Sequence, residues 1–232
     1  MLIYLDLETT GLERSDRICS VGLIIEDGEK REVCSERVRP PCKVSTEAMA
    51  VHHITNEMLK EAVPFSDSKS AERLRQLNST ENILVGHNVG FDLEMLAKEG
   101  LLWQGGFIDT LRCSRHLIEE IDRFSLQYLR YELGLYRAEE APAASLKIDL
   151  VAHDALSDAF HVSFLHGYLN TMADDSVLMQ LSSEAVLIKK FVFGKYKGHY
   201  IEEVAMQDAG YLRWLLGQEL DEDLEHTIKQ YI

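Results

Sequence analysis

Cysteine is scarce in this chain, and its spacing carries no pairing signal. The four residues Cys19, Cys34, Cys42 and Cys113 make no C-x-x-C. Such spacing speaks against a zinc site or a disulfide framework, so reduced thiols in a cytoplasmic protein are the simple expectation. Long hydrophobic runs are missing too. No run approaches the ~20 apolar residues of a membrane span. The apolar start lacks a basic flank and is broken at Asp6, so no signal peptide is expected. Positive charge is the third shortage: 24 Lys and Arg against 39 Asp and Glu leave a net charge of −15. A chain of that charge repels phosphates at long range, which counts against a broad basic nucleic-acid face. Internal repeats and low-complexity tracts are absent.

What is present suits a globular protein. Hydrophobic residues make up 46% and charged residues 27% of 232 positions, enough for one good-sized domain and a small appendage. Leu2, Ile3, Tyr4, Leu5 and Leu7 read as a strand buried on both faces. Residues 18–26 and 32–38 read as strands joined across Glu26-Asp27-Gly28, with Asp27-Gly28 as the hairpin signal. Ile83-Leu84-Val85 ends a further strand at Gly86-His87-Asn88. Helices are expected near residues 46–51, 68–77, 89–100, 109–120 and 125–133, and again around Asp158. This order predicts an α/β fold, a mixed sheet covered by helices. Residues 63–82 and 138–150 carry weak signals. Around Ala173-Asp174-Asp175-Ser176 the apolar period fades, and a linker is expected there.

The chemistry concentrates in three places. Asp6 and Glu8 lie two apart on a strand and so project to the same side, at the strand end where the Thr9-Thr10-Gly11 turn breaks it. Paired carboxylates in an apolar run are costly unless a proton, a base or a cation sits between them. Asp92 falls in the first turn of the helix after Asn88, where an acidic residue also suits the helix dipole. Asp158 lies in an apolar helix, where an unpartnered carboxylate is least comfortable. His153, five residues earlier, does not share its helical face and is expected in the loop ahead, free to swing toward the same site. Beside these carboxylates it is a candidate general base.

DLETTG, HNVGFD and H-x4-D, in this order, resemble the three motifs of DEDDh exonucleases, the proofreading-type members of the ribonuclease H-like superfamily. VSTEAMAVHHIT and FVFGKYKGHYIEEVAMQDAGYLRWL resemble segments of the bacterial exodeoxyribonuclease X branch. The resemblance implies a ribonuclease H-like mixed sheet flanked by helices over residues 1–172, a linker over 173–183 and a small C-terminal module over 184–232. It implies two divalent cations, Mg2+ or Mn2+, with Asp6 bridging them, Glu8 and Asp158 serving the first and Asp92 the second. His153 would take the proton of the attacking water, and an imidazole near pKa 6.5 suits that task. Thr9, Gly11 and Leu12 would hold the 3′-terminal nucleotide, Leu12 as a wedge against its base, with Phe91 packed nearby. His53 would approach the strand. His87 and Asn88 orient the second-motif turn first, with Asn88 kept among the substrate contacts.

The activity implied is 3′→5′ hydrolysis of DNA to nucleoside 5′-monophosphates, distributive because the net charge weakens hold on a long polymer. RNA is the rival polymer on the same scaffold. A non-catalytic subunit docking a polymerase or repair complex through the C-terminal module is the rival role. That module interleaves basic and aromatic residues, a pattern suited to stacking and phosphate contact. Lys195, Tyr196 and Lys197 are its exposed-looking positions. Against this, about fifty residues need Phe191, Phe193, Tyr211 and Trp214 to build a core at all.

Overall fold

The computed structural model describes residues 1–118, 121 and 123–232. Strands β1 (Leu2–Thr9), β2 (Ile18–Asp27) and β3 (Lys30–Arg37) form an antiparallel meander. Strands β4 (Ile83–Gly86) and β5 (Gly106–Asp109) continue the sheet parallel to β1, in the order β3-β2-β1-β4-β5. The hairpin turn falls one residue later than expected, since Asp27 pairs with Lys30 and Gly28 takes φ +61°. β1 is central, and its side chains alternate between two cores. Ile3, Leu5 and Leu7 pack with Leu74, Leu77, Met95 and Leu96 on one face. Tyr4 packs with Ile108, Phe160, Val162 and Leu165 on the other.

Helices α1 (Thr46–His52), α2 (Lys69–Leu77), α3 (Val89–Lys98), α4 (Thr110–Leu117) and α5 (Leu126–Glu132) lie where the sequence signals put them. Ser45, Ser68 and Asp109 cap the starts of α1, α2 and α4 with side-chain oxygens on backbone N–H groups. The expected end of α4 at Glu119 and Glu120 lies outside the described residues. A further helix, α6 (Glu140–Leu146), occupies a stretch with weak signals. Helix α7 (Ala155–Leu169) is buried almost all round because it lies across β1, β2 and β4.

The expected linker over 173–183 is a helix instead. In α8 (Asp175–Ser183), Asp174 accepts from the N–H groups of Ser176 and Val177, so the polar quartet is a helix cap. Leu178 is fully buried, and the Ser182 hydroxyl accepts the Asp109 N–H at 2.7 Å, sewing α8 to β5. The connecting stretch starts only at Glu184. Beyond it, Lys190 bridges Tyr200, and α9 (Ile201–Gln207), α10 (Ala209–Leu215) and α11 (Glu222–Tyr231) close over Phe191, Val204, Leu212, Leu224 and Ile228. Phe191 is core and Tyr211 packs against it, whereas Phe193 and Trp214 stay 45% and 57% exposed, so the small core does not need all four aromatics. Buried Asp223 ties α11 to α4, accepting from Arg112 at 3.1 Å and from the Val186 N–H at 2.9 Å. Among the described residues no helix is long and apolar enough to cross a membrane.

Candidate active site

Asp6 and Glu8 share the face of β1 that Tyr4 occupies, and α7 covers that face. Asp6 pairs with Gly22 of β2. A side chain at Gly22 would meet the backbone of Ala155 at 2.2 Å, so glycine lets the start of α7 reach the sheet directly beside Asp6. Asp158 follows in that first turn. One carboxylate oxygen each from half-buried Asp6, half-buried Glu8 and buried Asp158 lie within 4.8 Å of one another. Asp92, in the first turn of α3, is buried, and its negative charge acts on Asp6.

The cluster is uncompensated. Enclosure away from water, then the carboxylates of Asp92, Asp158 and Glu8, hold Asp6 well above the usual carboxylate range. Asp92 is held up by burial and by Asp109, against opposing backbone N–H groups of its own and of Leu7. Glu8 is pushed up to about 8 by burial, then by Asp158 and Asp154. Hard oxygen donors that resist ionising together are what a divalent cation stabilises, so the donor set fits Mg2+ or Mn2+.

His153 lies on the turn ahead of α7, exposed and at φ 58°, a left-handed conformation uncommon outside glycine. Its backbone N–H donates to Asp158 Oδ2 at 3.1 Å, tying the histidine to the carboxylate. Across the site, the turn after β1 is fixed from several directions. Thr9 Oγ1 donates to the Gly11 carbonyl at 2.8 Å, Thr10 Oγ1 donates to Asp16 at 2.6 Å, and the Thr10 carbonyl accepts the Ser45 N–H at 2.9 Å. A side chain at Gly11 would meet the Asp16 carboxylate at 2.6 Å. Leu12 is 84% exposed, an apolar side chain with little protein to cover it. Phe91 is half-buried against the core beneath α3. Asn88 takes φ 67° and donates its backbone N–H to Asp109 at 3.0 Å, with its side chain exposed. His87, its imidazole pulled down to about 4 by burial, donates Nε2–H to the Phe124 carbonyl at 2.7 Å.

The adjacent histidines divide their tasks. His53 is exposed at the left-handed end of α1. His52 is buried: its Nδ1 accepts the Ile54 N–H at 3.0 Å, so Nε2 carries the proton and donates to the Thr9 carbonyl at 3.1 Å. Of the two, the inward histidine supports the turn, and no local signal in the sequence separates it from His53. Asp154 was missed. It caps α7 through the Ser157 N–H at 3.1 Å and adds negative charge beside Asp6 and Glu8. A capping aspartate before the apolar helix was its signal. His161 lies 3.3 Å from Asp158, and Gln127 lies at 2.7 Å. No sequence signal marks Gln127.

In the C-terminal module the three exposed-looking positions differ. Lys195 pairs with Asp208 at 3.1 Å, and Lys197 is exposed. Tyr196 corrects its expectation: half-buried, it donates its hydroxyl to Asp208 at 2.8 Å and sets its ring edge-on to Tyr211 at 5.1 Å. Its hydroxyl and one edge of its ring are thus engaged in the module's own packing.

A sheet whose central strand ends in paired carboxylates, met by a third from the covering helix, is the setting that the motifs anticipated. Residues 3–162 match the family described as Exonuclease, and residues 191–219 match the Exodeoxyribonuclease X-like C-terminal family. The chain belongs to the exonuclease family. Along its full length it resembles Exodeoxyribonuclease 10 of Escherichia coli, at 30% identity over 237 aligned residues, covering 100% of this chain and 99% of that one. Among solved structures, Exonuclease X in complex with 5′ overhanging duplex DNA matches with a TM-score of 0.64 and 24% identity, over 79% of this chain and 100% of that one. Escherichia coli Exonuclease I in complex with a dA16 oligonucleotide matches with a TM-score of 0.56 and 18% identity, over 77% and 42%. At these identities the structural likeness speaks for the fold.

Proposed function

We propose that this protein is a cation-dependent 3′→5′ exonuclease that shortens DNA one nucleoside 5′-monophosphate at a time. The observation that carries the reading is the cluster of Asp6, Glu8 and Asp158, in which enclosure holds Asp6 and Glu8 above the usual carboxylate range, with Asp92 beside it and His153 tied to Asp158. Two divalent cations, Mg2+ or Mn2+, held by Asp6, Glu8 and Asp158 and by Asp6 with Asp92, would supply charge stabilisation at the phosphate. His153 takes the proton of the attacking water from its exposed turn. The turn of Thr9, Gly11 and Leu12 receives the terminal nucleotide, with exposed Leu12 laid against its base. Phe91, Asn88 and His53 line the approach. DNA is favoured by the likeness to an exodeoxyribonuclease and to structures holding DNA.

The net charge of −15 argues for a distributive enzyme. In the C-terminal module, exposed Lys197 and the paired Lys195 remain the candidate phosphate contacts, with Tyr196 and Lys195 sharing Asp208. Four cysteines carried as thiols suit the cytoplasm.

The test uses 3′-labelled DNA and RNA oligomers of one sequence with Mg2+, Mn2+ or EDTA. Mononucleotide release from DNA that EDTA abolishes is expected. Faster release from RNA would move the reading to an exoribonuclease. Release from neither polymer, or release that survives EDTA, would overturn it.

A further inference from the structure

Behind Asp158 lies a chain of buried and half-buried polar side chains that none of the motifs includes. Gln127, on α5, donates Nε2–H to Asp158 Oδ1 at 2.7 Å. Its orientation is unambiguous, because Oε1 receives Arg130 Nη1 at 3.0 Å and a guanidinium can only donate. Its second amide proton faces His161 Nδ1 at 3.3 Å. In that tautomer His161 Nε2 carries the remaining proton and faces Glu139 Oε2 at 3.6 Å, too long for a good hydrogen bond. Arg130 is clamped in turn by Glu139, whose two oxygens accept Nε at 3.0 and 2.9 Å. The Glu139 side chain is 3% exposed and that of His161 1%, so the chain is sealed from water on its inner side.

The two oxygens of Asp158 thus have separate duties. Oδ1 takes its short contact from Gln127 at 2.7 Å, with His161 Nδ1 further off at 3.3 Å, and Oδ2 accepts the His153 backbone N–H at 3.1 Å. Without Gln127, the carboxylate would keep only the His153 backbone N–H and the longer contact to His161 Nδ1 at 3.3 Å, and it could rotate. A neutral amide is well suited to the place: it holds the rotamer without cancelling the charge that a cation needs, whereas the charged Arg130 is kept one residue further back.

We propose that Gln127 is the positioning residue of Asp158, braced by Arg130 and Glu139. It sets both the cation affinity of the carboxylate cluster and the placement of the His153 turn. The second half rests on the nuclease reading above; the first half does not. Titrating the full chain with Mn2+ in the absence of nucleic acid, followed by electron paramagnetic resonance, tests the first half. Gln127→Leu keeps the volume and removes the donor, and its Mn2+ affinity is expected to fall about 10- to 100-fold, the usual cost of losing a ligand's hydrogen-bond partner. Gln127→Glu keeps the contact to Arg130 but turns an acceptor toward Asp158. It should lose affinity to a similar degree and guards against a folding failure in the leucine variant. With DNA and saturating cation, kcat should fall while KM for DNA holds. A role in stability alone would lower the melting temperature but leave Mn2+ affinity and kcat of the folded protein at wild-type values. That result in both variants would overturn the proposal. Wild-type protein that binds Mn2+ but cuts no polymer would instead count against the nuclease reading, and the Mn2+ titration would still decide for or against Gln127.

Discussion

A single methyl group at Gly22 should disable the site without touching a carboxylate. The Cβ of Gly22→Ala would lie 2.2 Å from the carbonyl carbon and oxygen of Ala155 and 2.3 Å from the Leu156 nitrogen. All three are backbone atoms that no rotamer change can move. Since ordinary contact begins at about 3.4 Å, the first turn of α7 must retreat from β2 by roughly 1 Å. Overpacking of this kind costs about 1–3 kcal/mol. In a domain of this size each kcal/mol lowers the melting temperature by about 2–4 °C. The retreat carries Asp158 and the His153 turn away from Asp6, and a misplacement near 1 Å costs on the order of 10²-fold in rate. The assay is kcat on a 3′-labelled oligomer at saturating Mg2+, beside a calorimetric melt. Gly167→Ala is the control: it lies in the same helix, its added Cβ meets nothing within 4 Å, and it should be neutral or slightly stabilising. Wild-type kcat and melting temperature in Gly22→Ala would refute the argument that close approach of helix and sheet builds the site.

Three other outcomes are expected. Glu8 is held at about 8 in the fold against an ordinary carboxylate value when unfolded, so its protonated form favours folding at low pH and that stability is lost as pH rises through about 8. In EDTA the melting temperature should therefore fall between pH 5 and 8.5, Glu8→Gln should flatten the decline and Mn2+ should offset it; a level or rising wild-type curve in EDTA would contradict this. His153→Ala should keep Mn2+ binding and lose about 10²–10⁴-fold in turnover; retention of more than a tenth of the rate would remove His153 from the role of base. Asp223→Ala leaves Arg112 and the Val186 N–H facing a void, a loss of about 3–5 kcal/mol for a broken buried pair. Limited proteolysis across residues 184–190 should accelerate while short oligomers are still digested, and an unchanged cleavage rate would show that the Asp223 contacts do not hold the module.

Local signals were enough for the elements whose physics is local. The alternation of Ile3, Leu5 and Leu7 against Tyr4, Asp6 and Glu8 can be read without a structure, because period two on a strand places the carboxylates together whatever lies around them. The caps Ser45, Ser68 and Asp109 are similarly self-declaring, since a side chain and an N–H two or three residues on decide them. Short elements carry little periodic signal: the four residues of β5 make a strand only beside β4, and the seven of α6 show little periodicity. The quartet at 173–176 looked like a linker because the capping carboxylate of Asp174 and loop polarity share one composition; burial of Leu178 against α4 and β5 decided for helix.

Within the candidate site, the chain order of DLETTG, HNVGFD and H-x4-D named the carboxylates and the histidine, for their spacing is a property of the sequence. What supports them is not. Gly22 matters because α7 crosses it, His52 because α1 folds back beneath Thr9, and Gln127 because α5 packs behind α7. Gln127 and Asp158 are separated by 31 residues along the chain and by 2.7 Å in space. The sequence determined which groups could do chemistry, since side-chain identity and local period are written in it. Only the tertiary structure decided which neutral residues hold them in place, because such contacts depend on how distant elements pack and leave no periodic trace.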